Sequence, residues 1–213
     1  MKYYSQIEQD KYYIEHVNNN KKNGFFVDVG AHNGISFSNT KTLEDEFGWD
    51  GICIEADDTL YKELTKNRKC TCVNEVVYNI SGKEVELETP LHNNIPEGND
   101  MLIRIKGYKH NANYFASQFL KTKSIKRTTK TLTEILDQQN SPTTIDYLSV
   151  DVEGAEFDVL KGLDFKKYTV KFITVEWGLR KNFLSEIKQF MLSKGFLMHR
   201  INNFDVEFCC PAT

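Results

Sequence analysis

Short apolar runs alternate with amphipathic stretches along most of the chain, which is the pattern of a parallel β-sheet covered by helices on both faces. The apolar runs predict strands over residues 25–29, 51–55, 70–77, 145–150 and 170–175. The amphipathic stretches predict helices over residues 36–47, 59–66, 131–139, 153–161 and 183–193. At the start of the third of these helices, Thr131 and Glu134 have the spacing of a capping box. The alternation therefore predicts an α/β fold.

The first predicted strand runs into a turn with the pattern Asp28-x-Gly30-x-x-x-Gly34. A helix that begins just after such a turn, near residues 33–36, would point its backbone amides and the positive end of its dipole at a ligand. Glu55 ends the second strand, where a carboxylate can accept both hydroxyl protons of a ribose. These features predict a nucleoside cofactor.

The spacing within the turn indicates which cofactor. Dinucleotide folds use G-x-G-x-x-G because the pyrophosphate lies almost on the backbone, whereas this turn is wider and carries a carboxylate that serves an anion poorly. Asp28 suits the cationic amine and sulfonium of S-adenosylmethionine (SAM), so SAM is predicted rather than NAD. Close packing at a strand–turn–helix corner is a simpler reason for the two glycines. It does not explain Asp28 or Glu55.

The end of the chain departs from the alternation. Two strand-like runs, residues 196–201 and 205–209, are separated by the short turn Asn202-Asn203, which favours an antiparallel hairpin. Six or seven mostly parallel strands with a terminal antiparallel hairpin are the layout of the class I methyltransferase fold, a Rossmann-like sandwich with a seven-stranded sheet. A dehydrogenase sheet would continue in parallel.

Residues 87–130 interrupt the pattern with glycines, asparagines, histidines and aromatic residues but little periodicity. Loops of this length in a compact domain are usually functional, and ligands of open sheets bind outside the carboxyl ends of the strands. We therefore predict a single domain over residues 1–213 whose insertion at 87–130 helps to bind the acceptor substrate. The alternative is a surface excursion with some strand pairing over residues 84–87.

Acidic residues are concentrated where the strands predicted over 145–150 and 170–175 end. Asp151, Glu153 and Glu156 follow the first of these strands, and Glu176 follows the second. A helix dipole accounts for Glu153 and Glu156, but it explains Asp151 less well. Because neighbouring parallel strands end at one edge, we expect Asp151 and Glu176 to reach the same ligand.

We predict that Asp151, Glu153 and Glu176 are catalytic. An alcohol is a poor nucleophile, so these carboxylates would either remove its proton or hold a divalent Mg or Mn ion that lowers the pKa of the hydroxyl. The same groups could instead only hydrogen-bond the hydroxyls of a sugar. His92 and His110, both in the insertion, are alternative general bases.

Three stretches, DVGAHNGISFSNT, GICIEADDTLYKEL and IDYLSVDVEGAEFDVLKGLD, resemble the signatures of FkbM-type SAM-dependent O-methyltransferases. The resemblance implies that a methyl group passes from SAM to a hydroxyl, most often of a sugar or glycan, or of a polyketide-type natural product. It also implies a set of cofactor-binding residues, in which Asp151 would take part. By position these are Asp28, Gly30, Ala31 and Gly34 for the methionine moiety, Glu55 for the ribose, Ala56 and Asp57 for the adenosine edge, and Asn74, Glu75 and Val76 for the adenine. Ser36 and Asn39 stand where the family keeps small polar residues, and His32 stands where asparagine is usual.

Composition fits an ordinary soluble enzyme, with 213 residues, 40% of them hydrophobic, and a net charge of -3. No apolar run approaches the roughly twenty residues of a membrane span, and the N-terminus lacks the apolar core of a signal peptide. We therefore predict a cytoplasmic protein without a membrane partner, whose five cysteines are reduced. The chain would act on a small-molecule or glycan acceptor, alone or as one domain of a larger glycan-modifying polypeptide.

Three alternatives are open. RNA ribose 2′-O-methyltransferases use a Lys-Asp-Lys-Glu set, for which Lys41, Asp151, Lys161 and Glu176 match by rough position. The acidic net charge disfavours nucleic acid, although a basic run could bind phosphate. That run comprises Lys121, Lys123, Lys126, Arg127 and Lys130. An NAD-dependent oxidoreductase is disfavoured by the turn spacing, and a protein that binds SAM without catalysis is the last alternative.

Overall fold

The computed structural model describes residues 1–90, 103–108, 122–178 and 180–211. These residues form one large and one small β-sheet with helices packed on both faces of the large one. In chain order the elements are α1 Gln9–His16, β1 Phe25–Val29, α2 Lys41–Phe47, β2 Asp50–Ile54, α3 Asp58–Asn67, β3 Thr71–Val73, β4 Val76–Val77, β5 Glu84–Pro90, β6 Arg104–Ile105, β7 Thr122–Lys130, α4 Leu132–Gln138, β8 Thr144–Val150, α5 Glu156–Lys161, β9 Thr169–Glu176, α6 Lys181–Ser193, β10 Leu197–Ile201 and β11 Asp205–Cys209.

The large sheet has seven strands in the order β10-β11-β9-β8-β1-β2-β3. Strands β3, β2, β1, β8 and β9 are parallel, and β11 runs antiparallel to both β9 and β10. The predicted α/β fold, with a mostly parallel seven-stranded sheet and a C-terminal antiparallel hairpin, is thereby confirmed. The direction of chain winding reverses between β1 and β8, so a crevice for ligands opens at their carboxyl ends.

Each central strand buries both of its faces. Val27, Leu148 and Ile173 pack on the side of α4, α5 and α6, and Phe26 and Tyr147 pack with α1 and α2 on the other side. This two-sided burial is the reason that the strands read as continuous apolar runs and could be located from the sequence.

Two predicted helices begin later than the sequence indicates. The helix predicted over 36–47 begins at Lys41, after Phe37 takes a left-handed φ of 57°. The helix predicted over 153–161 begins at Glu156, because Glu153 and Gly154 also have positive φ angles, of 57° and 125°. Positive φ is incompatible with a right-handed helix, so both segments are loops beside the crevice.

The small sheet has four strands in the order β4-β7-β5-β6. The strand predicted over 70–77 is divided, because β3 belongs to the large sheet whereas Val76 and Val77 pair with β7. Strand β5 lies antiparallel to β7, with Glu84 opposite Thr128 and Leu87 opposite Ile125. The strand pairing considered for residues 84–87 is therefore present, and regular strands occupy both ends of the insertion predicted at 87–130.

Helix α4 shows half of the predicted capping box. The Thr131 hydroxyl accepts a hydrogen bond from the Glu134 amide at 3.1 Å, but the Glu134 carboxylate accepts from Gln138. The Thr131 amide donates to Ser81 instead. Among the described residues, none of the helices has the length and apolar character needed to cross a bilayer.

Candidate active site at the carboxyl edge of the sheet

A cleft opens where β1, β2 and β8 end, and the small sheet forms its far wall. Eight of the residues singled out in the sequence line it, namely Gly30, His32, Glu55, Ala56, Glu75, Val76, Asp151 and Glu153.

A smaller cavity adjoins the cleft and shares Gly30, His32 and Asp151 with it. Its other lining residues include four of the predicted set together with Ser149 of β8. The four are Asp28, Ala31, Ser36 and Asn39. A ligand that spans both spaces would therefore pass over Gly30 and Asp151.

Gly30 and Gly34 are required by backbone geometry. Gly30 has a φ of 87°, and a Cβ atom there would lie 1.6 Å from the carbonyl oxygen of Asp151. The amides of Gly30 and Ala31 both donate to the Ile54 carbonyl, at 2.9 and 3.0 Å. Gly34 has a φ of 80°, and a Cβ there would meet Leu64 and Arg68 at 2.7 Å. Close packing therefore explains both glycines, in agreement with the simpler of the two explanations that the sequence offers for them.

The prediction that a helix begins near residues 33–36 is wrong. The amides of Ile35 and Ser36 donate to the Asn33 side chain, at 3.0 and 2.9 Å, and helical structure starts at Lys41. These amides satisfy a local Asx turn, which competes with helix formation. The turn therefore does not aim a helix dipole at the cleft.

Asp28 lies beneath the turn, and its carboxylate accepts a hydrogen bond from Thr40 Oγ1 at 2.7 Å. Burial raises the pKa of Asp28, while the charge of Arg68 opposes the rise. Nearby, Asn39 Nδ2 donates to Ser149 Oγ at 3.0 Å, and Asn39 Oδ1 is buried without a hydrogen-bond partner among the described residues. A buried carbonyl oxygen that lacks a donor is costly, so this edge of the small cavity is suited to a ligand N–H group.

Glu55 is held by two backbone amides at the end of β2. Its Oε2 accepts from His32 N at 2.9 Å, and its Oε1 accepts from Asp57 N at 2.8 Å. Burial raises the pKa of Glu55 to about 7, although the backbone hydrogen bonds act in the opposite direction. Asp57 serves as the N-cap of α3, accepting from the amides of Thr59 and Leu60.

Arg127 braces this side of the cleft. From β7 its guanidinium donates to the carbonyl oxygens of Ala56 and Asn74, at 3.0 and 3.1 Å, and to the side chains of Asn74 and Asp58, at 3.0 and 2.7 Å. Asn74 in turn donates to the Glu55 carbonyl at 2.9 Å. In the sequence Arg127 is recognisable only as part of a basic run, because nothing in its local pattern shows that β7 reaches the ends of β2 and β3.

Three carboxylates meet at the ends of β8 and β9. Oxygens of Asp151, Glu156 and Glu176 lie within 4.8 Å of one another. Burial, followed by the charge of Glu176 and a hydrogen bond to it, raises the pKa of Asp151 well above its usual range. Burial and the charges of Glu153 and Glu156 likewise raise the pKa of Glu176. Both shifts favour the protonated forms of these carboxyl groups, and the hydrogen bond between them raises the pKa of Asp151 while it lowers that of Glu176, so Asp151 is its donor.

The third member of the cluster is Glu156, whereas Glu153 was predicted to join Asp151 and Glu176. Glu156 accepts from Gly154 N at 2.7 Å and pairs with Arg180 Nη2 at 2.8 Å. Glu153 lies in the wall of the large cleft. A helix assumed to begin at residue 153 could not predict that Glu156, rather than Glu153, joins the cluster. The positive φ angles at 153 and 154 delay the start of α5.

The other candidate residues lie elsewhere. Lys41 pairs with Glu44 and Asp45 on α2, and Lys161 lies 3.8 Å from the centre of the Phe157 ring. Neither lysine lines the two spaces described above. His92, His110 and Lys121 lie outside the described residues.

A seven-stranded sheet of this order, with a glycine turn after β1 and an acidic residue after β2, defines the class I methyltransferase fold. The methyltransferase FkbM domain family matches residues 28–198, so the chain belongs to this family and the resemblance seen in the sequence is confirmed. No curated protein sequence matches the chain.

Two solved structures illustrate the shared fold. An FkbM methyltransferase from Methylobacillus flagellatus KT superposes with a TM-score of 0.52 at 15% identity, over 89% of this chain and 44% of that one. The N-terminal domain of human METTL16 superposes with a TM-score of 0.50 at 13% identity, over 97% of this chain and 70% of that one. The chain thus spans less than half the length of the bacterial FkbM protein.

Proposed function

We propose that the protein is a SAM-dependent O-methyltransferase that methylates a hydroxyl of a sugar or glycan. The observation that carries this proposal is the pair of adjoining cavities at the carboxyl edge of the sheet. Each contains a buried carboxylate, Glu55 in one and Asp28 in the other, and the two cavities meet at Gly30 and Asp151.

The larger cleft suits the adenosine part of SAM. Its walls combine apolar side chains, including Ile54, Leu60 and Val76, with the Glu55 carboxylate. Each Glu55 oxygen accepts one backbone hydrogen bond and keeps a lone pair that a ribose hydroxyl can use. Adenine would lie between the ends of β2 and β3 and the small sheet, at the wall that Arg127 braces.

The smaller cavity suits the methionine part. Asn39 Oδ1 is a buried acceptor without a donor among the described residues, and a protonated amine of the ligand would supply one. The Asp28 carboxylate lines the same cavity and adds a negative charge that favours a cation. The sulfonium would then lie near the boundary of the two cavities, beside Asp151.

The Asp151–Glu176 pair supplies the acid–base chemistry. The acceptor hydroxyl must lose a proton as its oxygen attacks the methyl group, and carboxylates whose pKa is raised by burial are suited to take that proton. A sulfonium held nearby favours the ionised form of the pair, so the fraction of the protein whose pair can accept a proton increases as the donor binds. Arg180 holds Glu156 and thereby limits the negative charge of the cluster.

A divalent Mg or Mn ion fits this cluster poorly. Glu156 already has a cationic partner in Arg180, and Asp151 and Glu176 already share a hydrogen bond. A metal would have to displace both interactions. We therefore propose direct proton transfer to the carboxylate pair, without a step through a metal.

The acceptor class rests on the family resemblance and on the character of the site. Carboxylates at the junction of the cavities can hydrogen-bond neutral hydroxyl groups, whereas they repel phosphates. This favours a saccharide over a nucleic acid.

Calorimetry and mass spectrometry test the proposal. SAM and its demethylated product, S-adenosylhomocysteine (SAH), should bind the wild-type chain, and NADH should not. Glu55→Ala should weaken binding, whereas Glu63→Ala, on the exposed side of α3, should leave it unchanged. Incubation with a panel of glycans and deuteriomethyl-SAM should add one labelled methyl group, with and without a chelator. Absence of SAM binding would refute the cofactor, and binding without transfer to any hydroxyl would refute the enzyme.

A further inference from the structure

Two thiols touch near the turn that follows β1 and contains Gly30 and Gly34, called the cofactor turn below. Cys53 Sγ, on β2, lies 3.6 Å from Cys70 Sγ, in the segment between α3 and β3. Cys53 is buried and Cys70 is partly exposed, so a small reagent can reach the pair through Cys70. A third cysteine, Cys72, donates to the Cys70 carbonyl oxygen at 3.6 Å. The proposed methyl transfer uses none of these residues.

The surroundings of the pair favour a thiolate on Cys70. Hydrogen bonding with Cys53 and then with Cys72, together with the charge of Arg68, lowers the pKa of Cys70 to about 5. Burial raises the pKa of Cys53, which remains a thiol. A partly exposed thiolate beside a buried arginine, with a second thiol in contact, is the arrangement of a redox-active cysteine and its resolving partner.

We infer that Cys53 and Cys70 are an oxidation site, at which a hydroperoxide converts the two thiols into a disulfide. The Cys70 sulfur attacks the peroxide, so that an S–O bond forms, the O–O bond breaks and the sulfenic acid is left with hydroxide or an alcohol. The Cys53 sulfur then attacks the Cys70 sulfur. The S–S bond forms as the S–O bond breaks, and the departing hydroxide leaves as water with the Cys53 proton. Two electrons pass from the thiols to the peroxide.

The pair is connected to the cofactor turn through Arg68 and Glu44. Glu44 accepts from the Cys70 amide at 2.8 Å and from Arg68 Nε at 2.9 Å. Arg68 donates to Ser38 Oγ and Thr40 Oγ1, at 3.2 and 3.0 Å, and it contacts the Gly34 carbonyl at 3.4 Å. Thr40 in turn holds Asp28 at 2.7 Å. One chain of contacts therefore runs from the Cys70 backbone to the predicted methionine site.

Oxidation should disturb this chain of contacts. A disulfide requires the sulfur atoms to approach from 3.6 Å to roughly 2.05 Å, which draws the segment after Arg68 toward β2. It also removes the thiolate charge beside the guanidinium. We expect the disulfide to weaken donor binding, a consequence that rests on the proposed function.

Peptide mapping tests the thiol chemistry without reference to any ligand. The full chain is treated with hydrogen peroxide, alkylated and digested. A Cys53–Cys70 disulfide that dithiothreitol removes is the expected result, and Cys209→Ser should retain it. Cys53→Ser and Cys70→Ser should each abolish it, with Cys70 of the former oxidised to the sulfinic acid. If Cys53 and Cys70 are both still alkylated under conditions that oxidise the exposed Cys210, the inference is overturned.

Calorimetry with SAH tests the connection to the turn. The oxidised chain should bind SAH at least about fivefold more weakly than the reduced chain, the lower end of typical coupling between sites. Dithiothreitol should restore binding, and the SAH affinity of a chain that carries both Cys53→Ser and Cys70→Ser should not change on peroxide treatment. Equal affinity of a mapped, fully oxidised chain would refute the connection. If the reduced chain binds no SAH, the proposed function fails, and the mapping still decides whether the oxidation site exists.

Discussion

Arg127 and Asn74 are joined by two hydrogen bonds, one to the backbone carbonyl oxygen of Asn74 and one to its side chain, at 3.1 and 3.0 Å. The same guanidinium holds the Ala56 carbonyl, so a residue of the small sheet fixes the loops that follow β2 and β3. These loops are the wall at which adenine is proposed to bind. Arg127 would therefore be a positioning residue that need not touch the cofactor.

Replacing Arg127 should affect donor binding more than chemistry. Arg127→Ala leaves the Ala56 and Asn74 carbonyl oxygens without their donor, and we expect the KM for SAM to rise about tenfold, the cost of roughly one charge-assisted hydrogen bond. The kcat at saturating SAM should change little. Arg127→Lys should recover only part of the affinity, because an ammonium lacks the planar fork.

Steady-state kinetics with varied SAM separates the two constants. Lys126→Ala is the matched control, since Lys126 is the preceding residue and pairs on the surface with Glu84. A loss confined to kcat in Arg127→Ala would contradict a positioning role.

The Asp151–Glu176 pair should be essential for turnover. Asp151→Asn and Glu176→Gln each keep the shape of the side chain but remove its capacity to take a proton. We expect either change to lower kcat by about 100-fold or more, the usual contribution of a general base. SAH affinity, measured by calorimetry, should be largely retained.

Glu153 provides the comparison within the same loop. Because Glu153 lies in the wall of the cleft and Glu156 takes its predicted place in the cluster, Glu153→Gln should lower kcat less than either change in the pair. If Asp151→Asn turns over as fast as the wild type, proton transfer through this pair is refuted.

Donor binding should strengthen as the pH rises through neutrality. The pKa of Glu55 is raised to about 7 in the free protein, so the carboxyl group is largely protonated at pH 6 and ionised at pH 8. The ionised form accepts ribose hydroxyls better, so binding should release a proton and affinity should increase over this range.

Calorimetry from pH 6 to pH 8 checks the direction, and Glu55→Gln is the control. The amide cannot ionise, so its affinity should lack the increase, while titration of the ligand's own amine affects both proteins equally. If the affinity fell from pH 6 to pH 8 in the wild type but not in Glu55→Gln, the assignment of Glu55 to the ribose would be contradicted.

Gly30→Ala should destabilise the fold strongly. The added Cβ would fall 1.6 Å from the Asp151 carbonyl oxygen, a backbone atom that cannot give way without moving β8. Gly82 has nearly the same φ, 81° against 87°, but a Cβ atom added there would meet nothing within 4 Å among the described residues. Gly82→Ala therefore reports the backbone strain alone, about 1 to 2 kcal/mol.

The difference between the two variants isolates the collision. We expect Gly30→Ala to lose a further 1 to 3 kcal/mol or so, the typical cost of overpacking, in the free energy of unfolding measured with urea. Equal losses at Gly30 and Gly82 would mean that the turn can move away from β8.

The central strands of the large sheet were predictable because burial on both faces gives them mostly apolar sequences. Strand β1 has the predicted bounds, and β2 differs by one residue at each end. The division of the run at 70–77 was not predictable, since Val76 and Val77 continue the apolar pattern of β3. Only their pairing with β7, more than fifty residues later, separates them from the large sheet.

The structure brings most of the candidate residues to one edge of the sheet, but it does not group all of them as the sequence indicates. Asp151 and Glu176 follow adjacent parallel strands, so their proximity follows from the topology alone. Glu156 enters the cluster because two left-handed residues precede α5, a local geometry that helical periodicity does not encode. Arg127 and Arg180 could not be assigned, because their partners lie in distant segments or depend on that geometry.

Strand β7 has two roles that ordinary sequence comparison would treat as separate. It closes the segment between β5 and α4, where acceptor recognition is predicted, and it carries the arginine that braces the proposed adenine wall. If that segment were exchanged to obtain a new acceptor preference, the affinity for the methyl donor would also change. The affinity would be kept only if the whole of β7 were exchanged together with Asn74, the hydrogen-bond partner of Arg127. Chimeras joined inside β7 should bind the methyl donor weakly, and the resulting loss of activity would look like a loss of acceptor recognition.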